Sequence, residues 1–531
     1  MLRRFPVTAI TAFTAAILLL GAGCRCSRTP PPTSAPSVHP SVRLYLVSTG
    51  AGALEPCGCV KDMLGGVDHF AALVANESAA APRPLVLGAG PMLFSDPIVD
   101  PKKKTQDTWK AQAFYDVVHS IGLAAWAPGT NDLALGVDFL AKLPKSAEVL
   151  VAANVDGIGA KPARIIDVGG ERVGIAGVTM PSPAPGVADG VTVGDAAEGL
   201  ERASKWLDEQ GARIRIALLA MPRGDALRLT EKVPGFHVVL VGKATERGET
   251  NDPPTPPVLV GRTLVVETPN HVQAVASVDL YVKDGRYSFA DGSGIEDEER
   301  RQSLMLRIAD LEARLETARG SSADLAARRR DLERARTELA ELSKERPSPE
   351  GSYFRYRYLE IREKLGSEPR AASRLGEYYR RVNEHNREAF KDVLPPPVPA
   401  GSSAYAGVDA CTSCHEEERT FWNGMAHAKA YPTLVRQNKQ YNLECVGCHV
   451  TGYDAPGGST VAHVERLENV QCEVCHGAGS RHVEKPKEPG LIARSPEKSL
   501  CASKCHHPPH VKPSWSVDEA WGRIIGKGHG G

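Results

Sequence analysis

The chain has 531 residues, so two or three domains are expected. Its 64 Lys and Arg residues balance its 64 Asp and Glu residues, which excludes the strongly basic footprint of a nucleic-acid-binding protein. The hydrophobic content of 42% is enough for a globular core. Eight of the 12 cysteines and ten of the 16 histidines lie beyond residue 410, and such crowding indicates metal or cofactor chemistry rather than a disulfide framework.

Residues 1–24 predict an export signal. Arg3 and Arg4 form a positively charged start, an apolar segment runs from Val7 to Leu20, and small residues precede Cys24. The sequence Leu-Gly-Ala-Gly-Cys resembles a bacterial lipoprotein cleavage box, which implies lipidation of Cys24 and attachment to a membrane. Simple cleavage and an uncleaved anchor are the alternatives, and all three place the protein outside the cytoplasm.

Residues 25–41 are rich in Pro and Ser and predict a tether. From residue 42 to residue 290, short β-branched or leucine-rich runs alternate with helical stretches. The predicted strands are Arg43–Ser48, Leu85–Leu87, Glu148–Ala152, Val173–Val178, Ile214–Leu219, His237–Val241 and Leu264–Glu267. This alternation predicts an α/β domain over residues 42–290.

Residues 291–394 predict a helical hairpin or coiled coil. Within residues 296–345, apolar residues recur at alternating spacings of four and three and keep one heptad phase. They are Leu304, Ile308, Leu311, Leu315, Ala318, Leu325, Leu332 and Leu339. The stretch Gly320–Ser322 can interrupt this helix, Pro347 ends it, and residues 353–392 predict a second helix packed on the first. An intramolecular hairpin is the preferred interpretation, and a coiled coil that makes the chain a homodimer is the alternative.

The last segment, residues 395–531, contains three pentapeptides of the form Cys-x-x-Cys-His. They are Cys411-Cys414-His415 (motif 1), Cys445-Cys448-His449 (motif 2) and Cys472-Cys475-His476 (motif 3). Two thiols one helical turn apart can add to the two vinyl groups of one haem, and the next histidine then becomes the proximal iron ligand. Paired Cys-x-x-Cys units also build zinc sites, but a histidine directly after the second cysteine, three times over, favours haem.

A fourth unit has one extra residue between its thiols: Cys501, Cys505 and His506 (motif 4). A disulfide beside a surface histidine is the alternative for this spacing. Because the unit continues the rhythm of the other three motifs, we interpret it as an attachment site. The sequence therefore predicts four c-type haems, three on the regular spacing and one on the variant spacing.

Each iron needs a sixth ligand or an open site. Met425 is the only methionine in this segment, so histidine is the expected ligand and the haem potentials should be low. The candidate distal ligands, all outside the motifs, are His427, His463, His482, His510 and His529. For each of them the alternative is a surface or propionate-binding histidine.

The stretches that surround motifs 1 to 3 carry a more specific pattern. They are Tyr405–Gly407, Phe421–Tyr431, Glu444–Gly452 and Asn469–His482. Together they resemble the cytochrome c-554-type multihaem family. The resemblance implies a mostly α multihaem cytochrome c domain that carries electrons between periplasmic redox proteins, and it implies distal-ligand roles for His427 and His482. Motif 4 departs from the two-residue spacing of that family.

The predicted strand ends of the α/β segment carry a second pattern, rich in glycine. It occurs in Leu46–Pro56, Leu85–Phe94, Pro128–Gly136 and Pro234–Gly242. These stretches resemble the 5'-nucleotidase branch of the calcineurin-like metallophosphoesterases, which implies a metallophosphoesterase-like sandwich. That family holds two metals with Asp, His and Asn side chains.

The metal ligands of that family are missing from this chain. The corresponding positions hold Thr49, Ala51, Pro91, Thr130, Asn131, Met221, Lys243 and Thr245. Only Asp132, next to two of these positions, is an acidic residue. Such residues do not build a dinuclear site, so we expect a retained fold with lost hydrolysis. A metal site rebuilt from other ligands is the alternative.

Cys57 and Cys59, followed by Gly65 and Gly66, match a subgroup of these exported nucleotidase-like proteins. A strained disulfide or two buried thiols is one interpretation. A metal or redox site that includes His69 is the other.

Three functions are consistent with these patterns. The preferred one is a periplasmic multihaem electron carrier, held near a membrane, that exchanges electrons with other redox proteins. The second is a redox enzyme in which one haem lacks its sixth ligand and binds a small substrate, and added carbon monoxide distinguishes it from a carrier. The third is a hydrolase with a rebuilt metal site in the α/β domain.

Overall fold

The β-branched and leucine-rich runs of the first half of the chain form the strands of two sheets. The computed structural model describes residues 39–56, 63–78, 83–180, 190–248, 250–317, 321–507, 511 and 515–525. Its strands are β1 (Val42–Ser48), β2 (Leu85–Ala89), β3 (Leu123–Ala127), β4 (Val155–Asp156), β5 (Ala163–Val168), β6 (Glu171–Thr179), β7 (Thr192–Val193), β8 (Ile214–Ala220), β9 (Val238–Gly242), β10 (Val258–Val260), β11 (Thr263–Glu267), β12 (Ala274–Tyr281), β13 (Ala290–Asp291) and β14 (Tyr353–Glu360).

The helices differ in length along the chain. Between the strands lie α1 (Val67–Glu77), α2 (Lys104–Ser120), α3 (Val137–Lys142), α4 (Ser146–Val149), α5 (Ala196–Glu209) and α6 (Arg223–Lys232). Three longer helices follow: α7 (Glu298–Thr317), α8 (Ser322–Leu342) and α9 (Pro369–Ala389). The last segment has short helices: α10 (Val408–Thr412), α11 (Glu416–Asn423), α12 (Ala430–Arg436), α13 (Val446–His449), α14 (Cys472–His476), α15 (Ser480–Glu484), α16 (Ser499–Lys504) and α17 (Val517–Ile524). In the described part of the chain, none of the helices is both long and apolar enough to span a membrane.

Both sheets are mixed. The first has the order β13-β14-β12-β1-β2-β3 and the second has the order β10-β11-β9-β8-β6-β5. Strands β1, β2 and β3 are parallel, as are β6, β8, β9 and β11, whereas β12 runs antiparallel to β1. The carboxyl ends of the parallel strands of one sheet therefore meet at one edge, which is where sites form in such folds.

The alternation of side chains along β1 divides the core into layers. Leu44 and Leu46 pack between the two sheets, where each fully buried leucine contributes about 2 kcal/mol. Tyr45 and Val47 point the other way, in one cluster with Phe70 of α1. Helices α5 and α6 cover the second sheet in the same manner. The result is a helix–sheet–sheet–helix sandwich, and the predicted multidomain α/β class is confirmed.

Most predicted strands are confirmed, but Glu148–Ala152 is wrong. The end of α4 takes up its first residues, and Leu150 and Val151 make only isolated bridges to Trp126 and Lys161. Lys145 initiates that helix from the left-handed region. The sequence also failed to predict β3, because Leu-Ala-Ala-Trp-Ala contains no β-branched residue.

The charged stretch 296–345 forms a hairpin by itself. Helices α7 and α8 pack on each other, and the ion pairs Arg300–Glu338 at 2.6 Å and Arg336–Glu312 at 2.8 Å connect them. Ser321 caps α8 by accepting the amide of Asp324. The predicted heptad helix is therefore two helices, and the second begins at Ser322, within the predicted interruption.

The predicted second helix over 353–392 is wrong in its first part. Residues 353–360 form β14, which pairs along its whole length with β12, from Tyr281↔Tyr353 to Ala274↔Glu360. Helix α9 then packs on α1 and α2, not on the hairpin. Strand β14 thus completes the first sheet although it lies beyond residue 290, and the boundaries 42–290, 291–394 and 395–531 stay predictions.

The last segment is helical and has little apolar core. Its buried hydrophobic cluster consists of Val446, Val450 and Val461, with partly buried aromatic side chains around it. Val408, Trp422, Leu434 and Leu467 are buried outside this cluster. Even with them, the segment has few buried apolar side chains for its length of more than 100 residues. The segment therefore depends on other contacts, among which we expect covalently bound groups.

Candidate functional site

The attachment motifs form helical turns that place both thiols one turn apart. In motif 1 the amide of His415 donates to the carbonyl of Cys411 at 3.0 Å. Motif 2 enters α13, and motif 3 coincides with α14. The cysteines of all four motifs are free thiols, so a disulfide between Cys501 and Cys505 is not observed. This geometry fits attachment of two thiols to one ring.

The rings of two motif histidines are oriented for metal ligation. Nδ1 of His449 lies 2.7 Å from the carbonyl oxygen of Ala430, and Nδ1 of His476 lies 2.6 Å from that of Ala493. Because a carbonyl can only accept, each ring donates from Nδ1, which is the tautomer in which Nε2 carries the lone pair. Metal-bound histidines are commonly held by such an outer partner.

Two predicted distal histidines lie opposite motif histidines. The ring centroids of His415 and His482 are 6.5 Å apart, and those of His427 and His506 are 6.2 Å apart. Two imidazoles on opposite sides of one ion have centroids about 6 Å apart, since each metal–nitrogen bond is about 2 Å long. The donor sets of motifs 1 and 4 therefore fit an iron held between two histidines.

The other candidate distal ligands are placed differently. Nε2 of His463 lies 2.6 Å from the carbonyl oxygen of Lys391, so this nitrogen is already engaged. His510 and His529 lie outside the described residues, as does the lipidation candidate Cys24. The structure thus brings together two of the five candidates with motif histidines.

Motif 4 compensates for its extra residue with an aromatic contact. Its histidine lies beyond the end of α16, with the amide of His506 donating to the carbonyl of Cys501 at 2.8 Å. The ring of Trp515 stacks on His506 at 5.1 Å with an interplanar angle of 7°. The sequence failed to predict this contact, because no spacing rule connects a tryptophan to a motif nine residues earlier.

The motifs adjoin each other in pairs. The amide of Val408, just before motif 1, donates to Oε1 of Gln471, just before motif 3, at 2.7 Å, and Sγ of Cys448 in motif 2 lies 3.6 Å from the carbonyl oxygen of Lys504 in motif 4. Motif 1 is therefore next to motif 3, and motif 2 is next to motif 4. Burial raises the pKa of the Cys445 thiol to about 12, although Cys445, Cys448 and His449 each keep part of their surface exposed.

Glu473, between the thiols of motif 3, is a second residue that the sequence did not single out. Its carboxylate is 2% exposed and accepts the amides of Ala406 at 2.9 Å, Gly407 at 2.8 Å and Gly479 at 2.8 Å. These bonds connect the loop before motif 1 to the loop after motif 3. A buried carboxylate with three amide donors is a strong tie between backbone segments.

The comparison with known families covers this same part of the chain. Residues 410–477 match the family model described as cytochrome c554 and c-prime. The C-terminal segment is a cytochrome c554 domain. The cytochrome c-554 of Nitrosomonas europaea is 34% identical over 96 residues, which cover 15% of this chain and 41% of that protein. The chain therefore spans less than half the length of this relative.

A cytochrome c554 domain implies c-type haems, and c-type haems imply export. Within the described ranges, no group of three or more His, Cys, Asp and Glu side chains is placed to hold a metal ion. A structural zinc site needs four such ligands, whereas an iron held in a haem ring needs one or two from the protein.

In the α/β part, two of the positions that the sequence analysis compared with metal ligands, Thr49 and Lys243, lie together. The amide of Lys243, after β9, donates to Oγ1 of Thr49, after β1, at 3.0 Å. A Cβ on Gly242 would lie 2.0 Å from the carbonyl oxygen of Ala89, so β9 and β2 approach closely. Thr49 and Ala51 keep positive φ angles of 48° and 50°, which non-glycine residues seldom adopt. The loop after β1 is thus a tight turn close to the end of β9.

A cation of the chain itself lies at these strand ends. Nζ of Lys243 contacts Glu246 Oε2 at 2.9 Å and Asp252 Oδ1 at 2.9 Å, and Asn270 donates to the same Glu246 oxygen at 2.9 Å. Burial opposes the charge, but the hydrogen bonds to Asp252 and Glu246 raise the pKa of Lys243. The ammonium group therefore competes with any divalent ion for these carboxylates.

The retained acid, Asp132, is committed to the backbone. It is fully buried, and its Oδ1 accepts the amides of Met92 and Leu93, both at 2.9 Å, while Oδ2 accepts that of Gly129 at 2.9 Å. Burial raises its pKa to about 8 against the effect of these bonds. The neighbouring Asn131 donates to the carbonyl of Phe94 at 3.0 Å. Both side chains hold loops together rather than face an open site.

Solved structures of nucleotidases are similar to this chain at low identity. The 5'-nucleotidase precursor of Thermus thermophilus is 19% identical, covers 67% of this chain and 61% of its own, and has a TM-score of 0.44. The Thermus thermophilus sulfate thiohydrolase SoxB is 13% identical, with coverage of 81% and 74% and a TM-score of 0.43. The NAD nucleotidase of Haemophilus influenzae is 17% identical, with coverage of 46% and 48% and a TM-score of 0.37.

Cys57 and Cys59 lie outside the described residues. The nearby His69 is described: its Nδ1 lies 2.6 Å from the carbonyl oxygen of Gly366 and 3.6 Å from Asp68. The ring is thus held by the turn before α9.

Proposed function

We propose that this protein is an exported multihaem c-type cytochrome that transfers electrons between redox proteins of the periplasm. Its membrane attachment through a lipid on Cys24 is part of the proposal. The observation that carries it is the pairing of His415 with His482 and of His506 with His427, at 6.5 Å and 6.2 Å. Two imidazoles facing each other beside two free thiols fit bis-histidine haem sites.

Haem would supply one-electron chemistry at low potential in such sites. The chain would contribute attachment through the eight motif thiols and orientation of the rings through Ala430, Ala493 and Trp515. Contact between motifs 1 and 3, and between motifs 2 and 4, supports neighbouring haems as the electron path. At motifs 1 and 4 this arrangement favours a carrier over a redox enzyme, because a paired histidine takes the sixth coordination position of the iron.

The α/β part is proposed to lack hydrolytic activity. The ammonium group of Lys243 forms ion pairs with Glu246 and Asp252 at the strand ends. The carboxyl group of Asp132 accepts three backbone amides. Neither arrangement leaves the carboxylate oxygens that a pair of metals requires.

Intact-mass measurement and a redox titration of the full chain test the proposal. We expect four covalent haems, low midpoint potentials and an optical spectrum that carbon monoxide does not alter. Two or fewer haems would contradict the assignment of the motifs. A large spectral change with carbon monoxide would show a five-coordinate iron and support the redox-enzyme alternative.

A further inference from the structure

A buried polar cluster fixes the cytochrome c554 domain to the α/β part next to motif 2. It consists of Gln106 on α2, Asn386 on α9 and Asn442, each at most 2% exposed. Asn386 Nδ2 donates to Gln106 Oε1 at 3.0 Å, and Gln106 Nε2 donates to Asn442 Oδ1 at 3.3 Å. The amide of Leu443 also donates to Gln106 Oε1, at 3.0 Å. Buried amides that satisfy one another define a single docking geometry.

Charged side chains lie beside this cluster. Nζ of Lys110, one turn after Gln106, contacts Glu444 Oε1 at 2.7 Å, and the two side chains are 20% and 25% exposed. Glu444 immediately precedes Cys445 of motif 2. Burial, and then the charge of Glu444, raises the pKa of Asp107 on the same helix face to about 7. Lys110 is thus a cation held against carboxylates at the start of motif 2.

Helix α9 covers the same motif with aromatic rings. Tyr378 is 1% exposed and packs edge-on against Tyr379, with centroids 4.9 Å apart. The ammonium of Lys439 lies 4.2 Å from the centroid of Tyr379 and pairs with Glu55 of the α/β part. By contrast, motif 1 is open to solvent: Cys414 is exposed and the side chain of His415 is 54% exposed. The α/β part therefore contacts the start of motif 2, whereas motif 1 is more open to solvent.

We propose that the α/β part acts as a fixed cap of the second haem site, in which Lys110 and Glu444 set the reduction potential of the haem bound at motif 2. This inference rests on the proposed function and gives a role to a domain without a metal site. A cation favours the added electron and an anion opposes it. Because the side chains of Lys110 and Glu444 are only 20% and 25% exposed, water screens their charges less than it screens charges on the open surface.

The test uses the full chain with Lys110→Met, Glu444→Gln and the charge-conserving Lys110→Arg. Lys232→Met, at the exposed end of α6, is the control with the same loss of charge. Spectroelectrochemical titration gives one midpoint potential per haem. We expect Lys110→Met to lower one midpoint, Glu444→Gln to raise the same one, and the other two variants to leave all midpoints near the unmodified values.

His449→Met identifies the affected haem, because a methionine ligand raises the potential of the haem at motif 2. Shifts of opposite sign distinguish electrostatic control from a merely structural role, since loosening of the contact moves both variants in one direction. With the full number of haems attached, unchanged midpoints, or shifts of equal sign in the two variants, would overturn the inference. Missing haems in the unmodified protein would instead contradict the proposed function.

Discussion

Replacement of Asp132 tests whether this acid is structural or catalytic. Three backbone amides lose their acceptor in Asp132→Ala: those of Met92, Leu93 and Gly129. A buried donor without a partner costs about 1–3 kcal/mol. Relief from burying a carboxylate, whose pKa is raised to about 8, offsets part of this sum. We therefore expect a loss of about 3 kcal/mol in the free energy of unfolding.

Asp132→Asn should be milder. An amide oxygen in the place of Oδ1 keeps the bonds to Met92 and Leu93, and only the amide of Gly129 then faces a second donor. The expected cost is about 1–2 kcal/mol. Asp156→Ala, exposed on β4, is the matched control and should change stability by less than about 0.5 kcal/mol.

Urea unfolding of the full chain, followed by far-ultraviolet circular dichroism, gives the ranking. A loss of about 3 kcal/mol lowers the midpoint by about 1 M urea for a slope of about 3 kcal/mol per molar. Equal midpoints for Asp132→Ala and the unmodified protein would refute the structural role. So would metal-dependent phosphate-ester hydrolysis by the unmodified protein that Asp132→Ala abolishes without a loss of stability.

Three further predictions concern charge and cofactor. Burial raises the pKa of Asp107 from 3.8 to about 7, so between these pH values the folded state holds a proton that the unfolded state releases. The free energy of unfolding should therefore fall as pH rises from 3.8 to about 7. Urea titrations at pH 5 and pH 8 should show that Asp107→Asn removes up to ~3 kcal/mol of this pH dependence. The triple variant Thr49→Asp, Ala51→His and Pro91→Asp should not hydrolyse nucleotides with manganese or zinc. The reason is that Lys243 still pairs with the carboxylates of Glu246 and Asp252. Any metal-dependent turnover by this variant would contradict the prediction. Intact-mass measurement should show that Glu473→Ala lacks some of its haems. Glu473→Gln should retain more haems, because its side chain keeps an oxygen that can accept the backbone amides. Equal haem loss in both variants would contradict the role of Glu473 in joining the two loops.

The strands that the sequence predicts correctly are those with continuous β-branched or leucine-rich runs, such as β6, β8 and β9. Strand β3 is rich in alanine, and its pairing with β2 decides its conformation. Strand β14 was mistaken for a helix although Arg355, Tyr356, Arg357 and Tyr358 alternate with a period of two. The charged residues of this stretch favour a helix prediction and make the period-two alternation hard to recognise.

Part of the candidate site can likewise be predicted from sequence spacing, and part depends on tertiary packing. Attachment residues follow from spacing alone, because thiols and histidine share one turn. Distal pairing depends on how separate loops pack: His482 follows motif 3 in sequence but faces His415 of motif 1. The contacts of Trp515 and Lys110 also depend on tertiary packing, and no short sequence pattern predicts them.

Strand β14 also bears on how the chain can be divided. It covers one side of β12 along its full length, and the α7–α8 hairpin is inserted in the chain between β13 and β14, which are neighbours in the sheet. A fragment that stops at residue 290 would expose the backbone of β12 as a long open edge, which invites pairing with other molecules and aggregation. A fragment that continues through α9 keeps this edge protected. The hairpin itself is an insertion, so its length can vary between related proteins without disturbing the sheet that carries it.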